Sequence, residues 1–139
     1  MRYLAIDYGL KRVGLALCDP SETFVSPLRQ IETDGFDQNK VVEQIDKITR
    51  ENEVEAIVVG LPLNMDNSEG RQAKLTRQFS DKLSQALSKP IFLQDERLSS
   101  AAADEMLADS GLSRKKQKEK RDMLAACDIL RDFLDNQKA

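Results

Sequence analysis

Leu4-Ala5-Ile6-Asp7-Tyr8-Gly9-Leu10-Lys11-Arg12-Val13-Gly14-Leu15-Ala16-Leu17 is the stretch around which the chain is organised. Leu4 to Ile6 and Val13 to Cys18 are apolar runs of strand length. Tyr8 to Arg12 between them is polar, and Gly9 offers the permissive backbone of a tight turn, so the stretch reads as strand, turn, strand. Asp7 does not suit a core strand. A carboxylate directly after Leu4-Ala5-Ile6 is costly to bury unless a partner or a metal compensates it.

The wider composition limits what that compensation can be. With 139 residues the chain is long enough for one sizeable core and is expected to form a single domain over residues 1–139. There is no histidine, which excludes Ser-His-Asp triads, His general bases and His-ligated zinc. Any catalyst must use carboxylates, lysines or hydroxyls. Cys18 and Cys127 lie far apart in apolar surroundings, without a Cys-x-x-Cys pair, and read as reduced core residues. Met1-Arg2-Tyr3 leads directly into a strand, with no signal-peptide pattern and no membrane-spanning run, so the expected location is cytoplasmic, with no membrane partner. Net charge is −3, yet Arg114 to Arg121 gathers six basic residues and one acid on an otherwise acidic chain. Such a run suits a phosphate-contacting patch or a solvated, lysine-rich loop.

Taken in order, Thr23-Phe24-Val25 and Leu28 to Ile31 predict a third strand, interrupted at Pro27, which points to an edge position or an irregular start. Val41, Val42, Ile45 and Ile48 predict a helix from about Gln38 to Asn52. Ala56 to Val59 reads as a buried strand, followed by a loop from Gly60 to Asn67. A second helix begins at Ser68-Glu69, with Leu75, Phe79, Leu83 and Leu87 on one face and Arg71, Lys74 and Arg77 on a solvated one. Pro90 to Leu93 predicts a strand ending in Gln94-Asp95-Glu96-Arg97. Ser99 to Gly111 predicts a third helix, and Met123 to Leu134 a last one after the basic run. The result is an α/β fold: a mixed five-stranded sheet, three antiparallel strands then two parallel, flanked by helices on both faces. Functional groups in such sheets gather at the carboxyl ends of strands, where Asp7, the Gly60 loop and Asp95-Glu96 all fall.

Four stretches, IDYGLKRVGLA, VVGLPLNMD, DERLS and KRDMLAACDIL, resemble in order and spacing the signature segments of the YqgF family. These are Holliday-junction-resolvase-like proteins linked to maturation of the 16S ribosomal RNA precursor, with an RNase H-like (RuvC-like) fold. The resemblance covers essentially the whole chain. It implies a nuclease dependent on a divalent metal, Mg2+ or Mn2+, with Asp7, Glu96 and Asp122 as its catalytic, metal-binding acids; Asp95 is the alternative to Glu96. Two hard cations about 4 Å apart can activate water and stabilise the leaving oxygen, and oxygen ligands alone suffice to hold them. The substrate would be a ribosomal RNA precursor or branched DNA, and the protein a monomer or homodimer. The candidate phosphate-binding residues are Lys11, Arg12, Arg97, Arg114, Lys115, Lys116, Lys118, Lys120 and Arg121. Two other classes compete: an actin- or sugar-kinase-like ATPase, for which a second clamping domain has no room, and a nucleic-acid-binding factor without catalysis.

Two acids of the last helix are separated by phase. At about 100° per residue, Ala126, Ile129 and Phe133 lie within roughly 40° of Asp122. Asp128 falls with Asp132 and Asp135 on a stripe expected to be solvated.

Overall fold

Strand β1 (Tyr3–Tyr8) and strand β2 (Arg12–Cys18) pair antiparallel, from Leu4 opposite Leu17 to Tyr8 opposite Val13. The turn between them closes tightly, Gly9 N donating to the Arg12 carbonyl at 3.0 Å. A β-carbon at Gly9 would stand 2.5 Å from that same carbonyl oxygen, so the turn requires glycine. The computed structural model describes residues 1–33, 37–64, 66–96, 111 and 113–138, excepting the side chains at 115, 117–123 and 138. The helix expected over Ser99 to Gly111 lies, but for Gly111, outside the described residues.

Strand β3 (Val25–Glu32) adds antiparallel to β2 at the sheet edge. It runs straight through Pro27 rather than breaking there. The register shifts between Leu15 and Ala16, which pair with Arg29 and Pro27, so the strand absorbs its proline at a bulge on an edge, where a missing N–H is tolerated. Helix α1 (Gln38–Glu51) is capped by Asp37, whose side chain accepts from Lys40 N at 3.2 Å. Strand β4 (Ala56–Pro62) then lies parallel to β1, and strand β5 (Ile91–Glu96) parallel to β4. The sheet order is β3-β2-β1-β4-β5, the expected mixed sheet.

Two boundaries differ from expectation. Gly60-Leu61-Pro62 belongs to β4 and not to a loop, because β5 supplies partners as far as Pro62 opposite Glu96. Helix α2 (Arg71–Ala86) starts three residues late. Leu63 bridges to Glu69, and Asn64 N donates to the Ser68 carbonyl at 3.0 Å, so Ser68-Glu69 closes a small turn instead.

The two faces of the sheet are packed differently. Leu4, Ile6, Tyr8, Val13, Leu15, Ile57 and Val59 meet α1 and α2 through Val41, Val42, Ile45, Phe79 and Leu83. The opposite face is lined by Ala5, Ala16, Ala56 and Val58 and is covered by helix α3 (Arg114–Lys138). Small residues there let α3 lie close. Cys18 and Cys127 are buried, unbridged members of that layer. α3 runs antiparallel to β1. Phe133 packs edge-on against Tyr3 at 5.2 Å, and Gln137 meets the Tyr3 hydroxyl, whereas Ile129 lies over Gly60. The N-terminal half of the helix therefore extends towards the carboxyl ends of β1 and β4.

Gly60 sets how near α3 can come. A β-carbon at this position would overlap Ile129 Cδ1 and stand 2.9 Å from its Cγ1, and Ile129 is only 2% exposed. Gly60→Ala is expected to destabilise the fold by about 1–3 kcal/mol through overpacking. Urea denaturation checks this, and adding Ile129→Val, which deletes the overlapped methyl, should recover part of the loss.

Candidate active site

Side chains alternate along β1, so Asp7 faces α3 with Tyr3 and Ala5, while Tyr8 faces α2. Asp7 is half-buried opposite Gly14 of β2. On its other side the parallel register pairs Ile6 with Val59, which brings Gly60 beside Asp7. On β5 the residues opposite Val58, Gly60 and Pro62 are Phe92, Gln94 and Glu96. Phe92 touches Phe133 of α3 at 5.3 Å, which places this set, Glu96 included, on the α3 face. Glu96 is half-buried, and its Cγ would be 3.5 Å from a β-carbon built on Gly60. Two half-buried carboxylates thus stand on one face of the sheet at the ends of β1 and β5, on either side of β4 and its Gly60.

Asp95 is exposed and lies on the other side of β5, within electrostatic reach of Arg77 on α2. Alternation along β5 thereby separates two acids that are neighbours in sequence. Arg71, Lys74 and Arg77 occupy the solvated side of α2, as expected, and Arg77 pairs with Glu69.

The strand ends are held from outside the sheet. Gln72 Nε2 donates to the Tyr8 carbonyl at 2.7 Å, and the Tyr8 ring stacks on Phe79 at 4.2 Å. Burial pushes the Tyr8 phenol up, partly opposed by a hydrogen bond with Gln38. Leu63 N donates to the Glu96 carbonyl at 2.8 Å, fixing the end of β5. Sequence reasoning missed Gln72. A polar residue in the first turn of a helix reads as solvated, and nothing local signals that it meets a carbonyl 64 positions away.

Lys11 is exposed in the turn after β1, and Arg12 is half-buried where β2 begins, so both lie at the same end of the sheet as Asp7. The basic run is not a loop. Arg114 to Arg121 forms the opening turns of α3, begun by Ser113, whose Oγ accepts from Lys116 N at 3.3 Å. The physical reason is that Arg, Lys, Gln and Glu are strong helix formers and no glycine or proline interrupts them. Arg114 and Lys116 are exposed. Arg97 lies outside the described residues, as do the side chains of Lys115, Lys118, Lys120, Arg121 and Asp122.

The phase argument holds for Ala126, Ile129 and Phe133, all buried against the sheet, and for Asp132 and Asp135, both exposed. Asp128 differs. Its side chain is only 42% exposed and lies 3.5 Å from Arg131. Burial pushes its carboxyl up, Arg131 partly offsetting this. It sits on the flank of the helix rather than on the solvated stripe, because a helix lying this close to a sheet shades its flanks.

Among the described residues no group of three or more Cys, Asp or Glu is placed to hold a metal ion. Asp7 and Glu96 nevertheless fit a hard divalent cation. Both are carboxylates, the ligand type such ions prefer, and both are half-buried on the same face of the sheet.

A protein-family model described as "RuvX: Holliday junction resolvase" matches residues 1–136. A relative from Roseiflexus sp. (strain RS-1), named "Putative pre-16S rRNA nuclease", is 39% identical over 137 residues, covering 99% of this chain and 96% of its own. One of the same name from Listeria innocua is 37% identical over 135 residues, covering 97% and 98%. Among solved structures, T. thermophilus RuvC in complex with a Holliday junction substrate superposes with a TM-score of 0.59 at 12% identity, over 100% of this chain and 97% of that one. The fowlpox virus Holliday junction resolvase gives 0.56 at 13% identity over 100% of both. At such identities these two share the fold alone. The chain belongs to the RuvX family, the YqgF family that its motifs resemble, and is a nuclease on an RNase H-like fold.

Proposed function

We propose that this nuclease hydrolyses phosphodiester bonds of the 16S ribosomal RNA precursor with a bound divalent metal, Mg2+ or Mn2+, and acts in the cytoplasm. The observation that carries the reading is the placement of Asp7 and Glu96 on one face, at strand ends of a RuvC-like sheet, with Gly60 between their strands. Asp7 and Glu96 would hold the metal together with Asp122, whose place on α3 is on the half of the helix that extends towards those strand ends. When bound, the metal supplies charge stabilisation and an activated water. The chain itself does the rest. Asp7 and Glu96 orient the ligand sphere from fixed backbone. Lys11, Arg12 and the basic opening of α3 draw in and orient the phosphate backbone.

RNA is preferred to branched DNA because relatives at 37–40% identity carry an rRNA-nuclease name, whereas RuvC and its junction are related at only 12%. No described helix is long and apolar enough to cross a membrane. A side-by-side assay of a precursor-rRNA fragment and a labelled four-way junction, with Mg2+, Mn2+ or chelator, decides between the substrates. Cleavage of neither by the wild type would promote the binding-factor reading.

Mn2+ or Mg2+ should raise the melting temperature, the stabilisation reaching about 2.7 kcal/mol at a hundredfold excess over Kd. Asp7→Asn should blunt this, and an unchanged response would remove Asp7 from the ligand set. Asp122→Asn should abolish cleavage while leaving the metal-free protein as stable or more so, since it relieves repulsion among clustered acids. Asp128→Asn should keep activity and be neutral to slightly stabilising at pH 7. Its carboxyl is pushed up in the folded state, so its ionisation disfavours folding at neutral pH, and that penalty fades as pH falls through the carboxylate range. Activity assays and thermal melts at pH 7 test the pair. Finally, neutralising Lys115, Lys116, Lys118 and Lys120 should weaken RNA binding to all sequences alike and flatten its salt slope by about 0.7 for each phosphate no longer neutralised. A wild-type slope would return the run to a solvated helix.

A further inference from the structure

The end of β1 is anchored from α2, the helix layer on the face opposite the Asp7 side chain. The ladder between β1 and β4 is in register only as far as Ile6 opposite Val59, so Tyr8 lies beyond it. The Tyr8 carbonyl instead accepts the 2.7 Å hydrogen bond from Gln72 Nε2, in the first turn of α2. Two helical turns on, Phe79 of the same helix stacks flat on the Tyr8 ring, the planes 12° apart. Backbone and ring of Tyr8 are therefore both tied to α2. Asp7 precedes Tyr8 directly and points to the opposite face, so a swing of the Tyr8 peptide would be transmitted to the Asp7 backbone.

We propose that Gln72 is a positioning residue: by holding the Tyr8 carbonyl it fixes where the Asp7 carboxylate stands relative to Glu96 across Gly60. The inference rests on the reading of Asp7 as a metal ligand. Ligand constellations work only when their supports hold them to within about 0.5 Å, and loss of an outer support commonly costs about 10–100-fold in metal affinity or activity. Gln72 supplies this support from a different helix layer than the one that covers the site, so it constrains Asp7 without occupying the space between the acids.

The test compares the wild type with Gln72→Met, which keeps side-chain length and removes the donor, and with Phe79→Leu, which loosens the same packing without touching the carbonyl. Each is titrated with Mn2+ and followed by thermal melting. Gln72→Met should shift the Mn2+ midpoint upward by about 10–100-fold with a small fall in the metal-free melting temperature. Phe79→Leu should lower the metal-free melting temperature and leave the midpoint within about twofold of wild type. A Gln72→Met midpoint within about twofold of wild type overturns the inference, as does an equal shift in Phe79→Leu, which would make the effect general loosening. A wild-type protein with no Mn2+ response overturns the metal reading itself, and this inference with it.

Discussion

The close approach of α3 to the middle of the sheet is the constraint on which the rest depends. Ala5, Ala16, Ala56 and Gly60 keep the α3 face shallow, and Ile129 fills the space over Gly60. A larger side chain at that point of β4 would push the helix away from the sheet, and β4 is the strand that stands between those carrying Asp7 and Glu96. The missing β-carbon therefore sets how near the helix comes to the two acids.

The sheet solves a second problem. Acids inside a core are costly, but acids at the carboxyl ends of strands can be half-buried, with their backbone held rigid and their oxygens within reach of solvent and ligand. The antiparallel hairpin delivers Asp7 to that end and returns through Gly9, Lys11 and Arg12, so positive side chains arrive beside the acid as a consequence of turn geometry. The parallel strands β4 and β5 bring Gly60 and Glu96 to the same end and face of the sheet from distant parts of the chain. Beyond the last sheet pairs, side-chain and loop donors take over, Gln72 at β1 and Leu63 at β5.

Much of this is legible in residues 4–17 and in the apolar periodicities. The mixed sheet, the helices on both faces, the edge position of Pro27 and the buried, unbridged cysteines all follow from local pattern. Where local pattern misleads, the missing information is a distant partner. Gly60-Leu61-Pro62 resembles a loop by composition, and only the partner strand makes it a strand. Charge alone leaves the basic run open between a loop and a phosphate patch, although its helix-forming residues and Ser113 point to a helix. Angle alone puts Asp128 on the solvated stripe, and angle does not say how deeply a helix sinks onto its sheet.

By itself the sequence determined that chemistry here must run without histidine, on carboxylates, lysines or hydroxyls, and that Asp7 stands at the end of a buried strand. Its motif spacing also determined family membership, because motif order survives where tertiary detail is invisible. Tertiary structure alone decided which of Asp95 and Glu96 shares a face with Asp7, what Gly60 makes room for, and that a glutamine 64 residues away holds the strand end. The physical reason is range. Turn, helix and strand preferences are set by neighbours in sequence, whereas register between parallel strands and the depth of a docked helix are set by packing between segments that sequence places far apart.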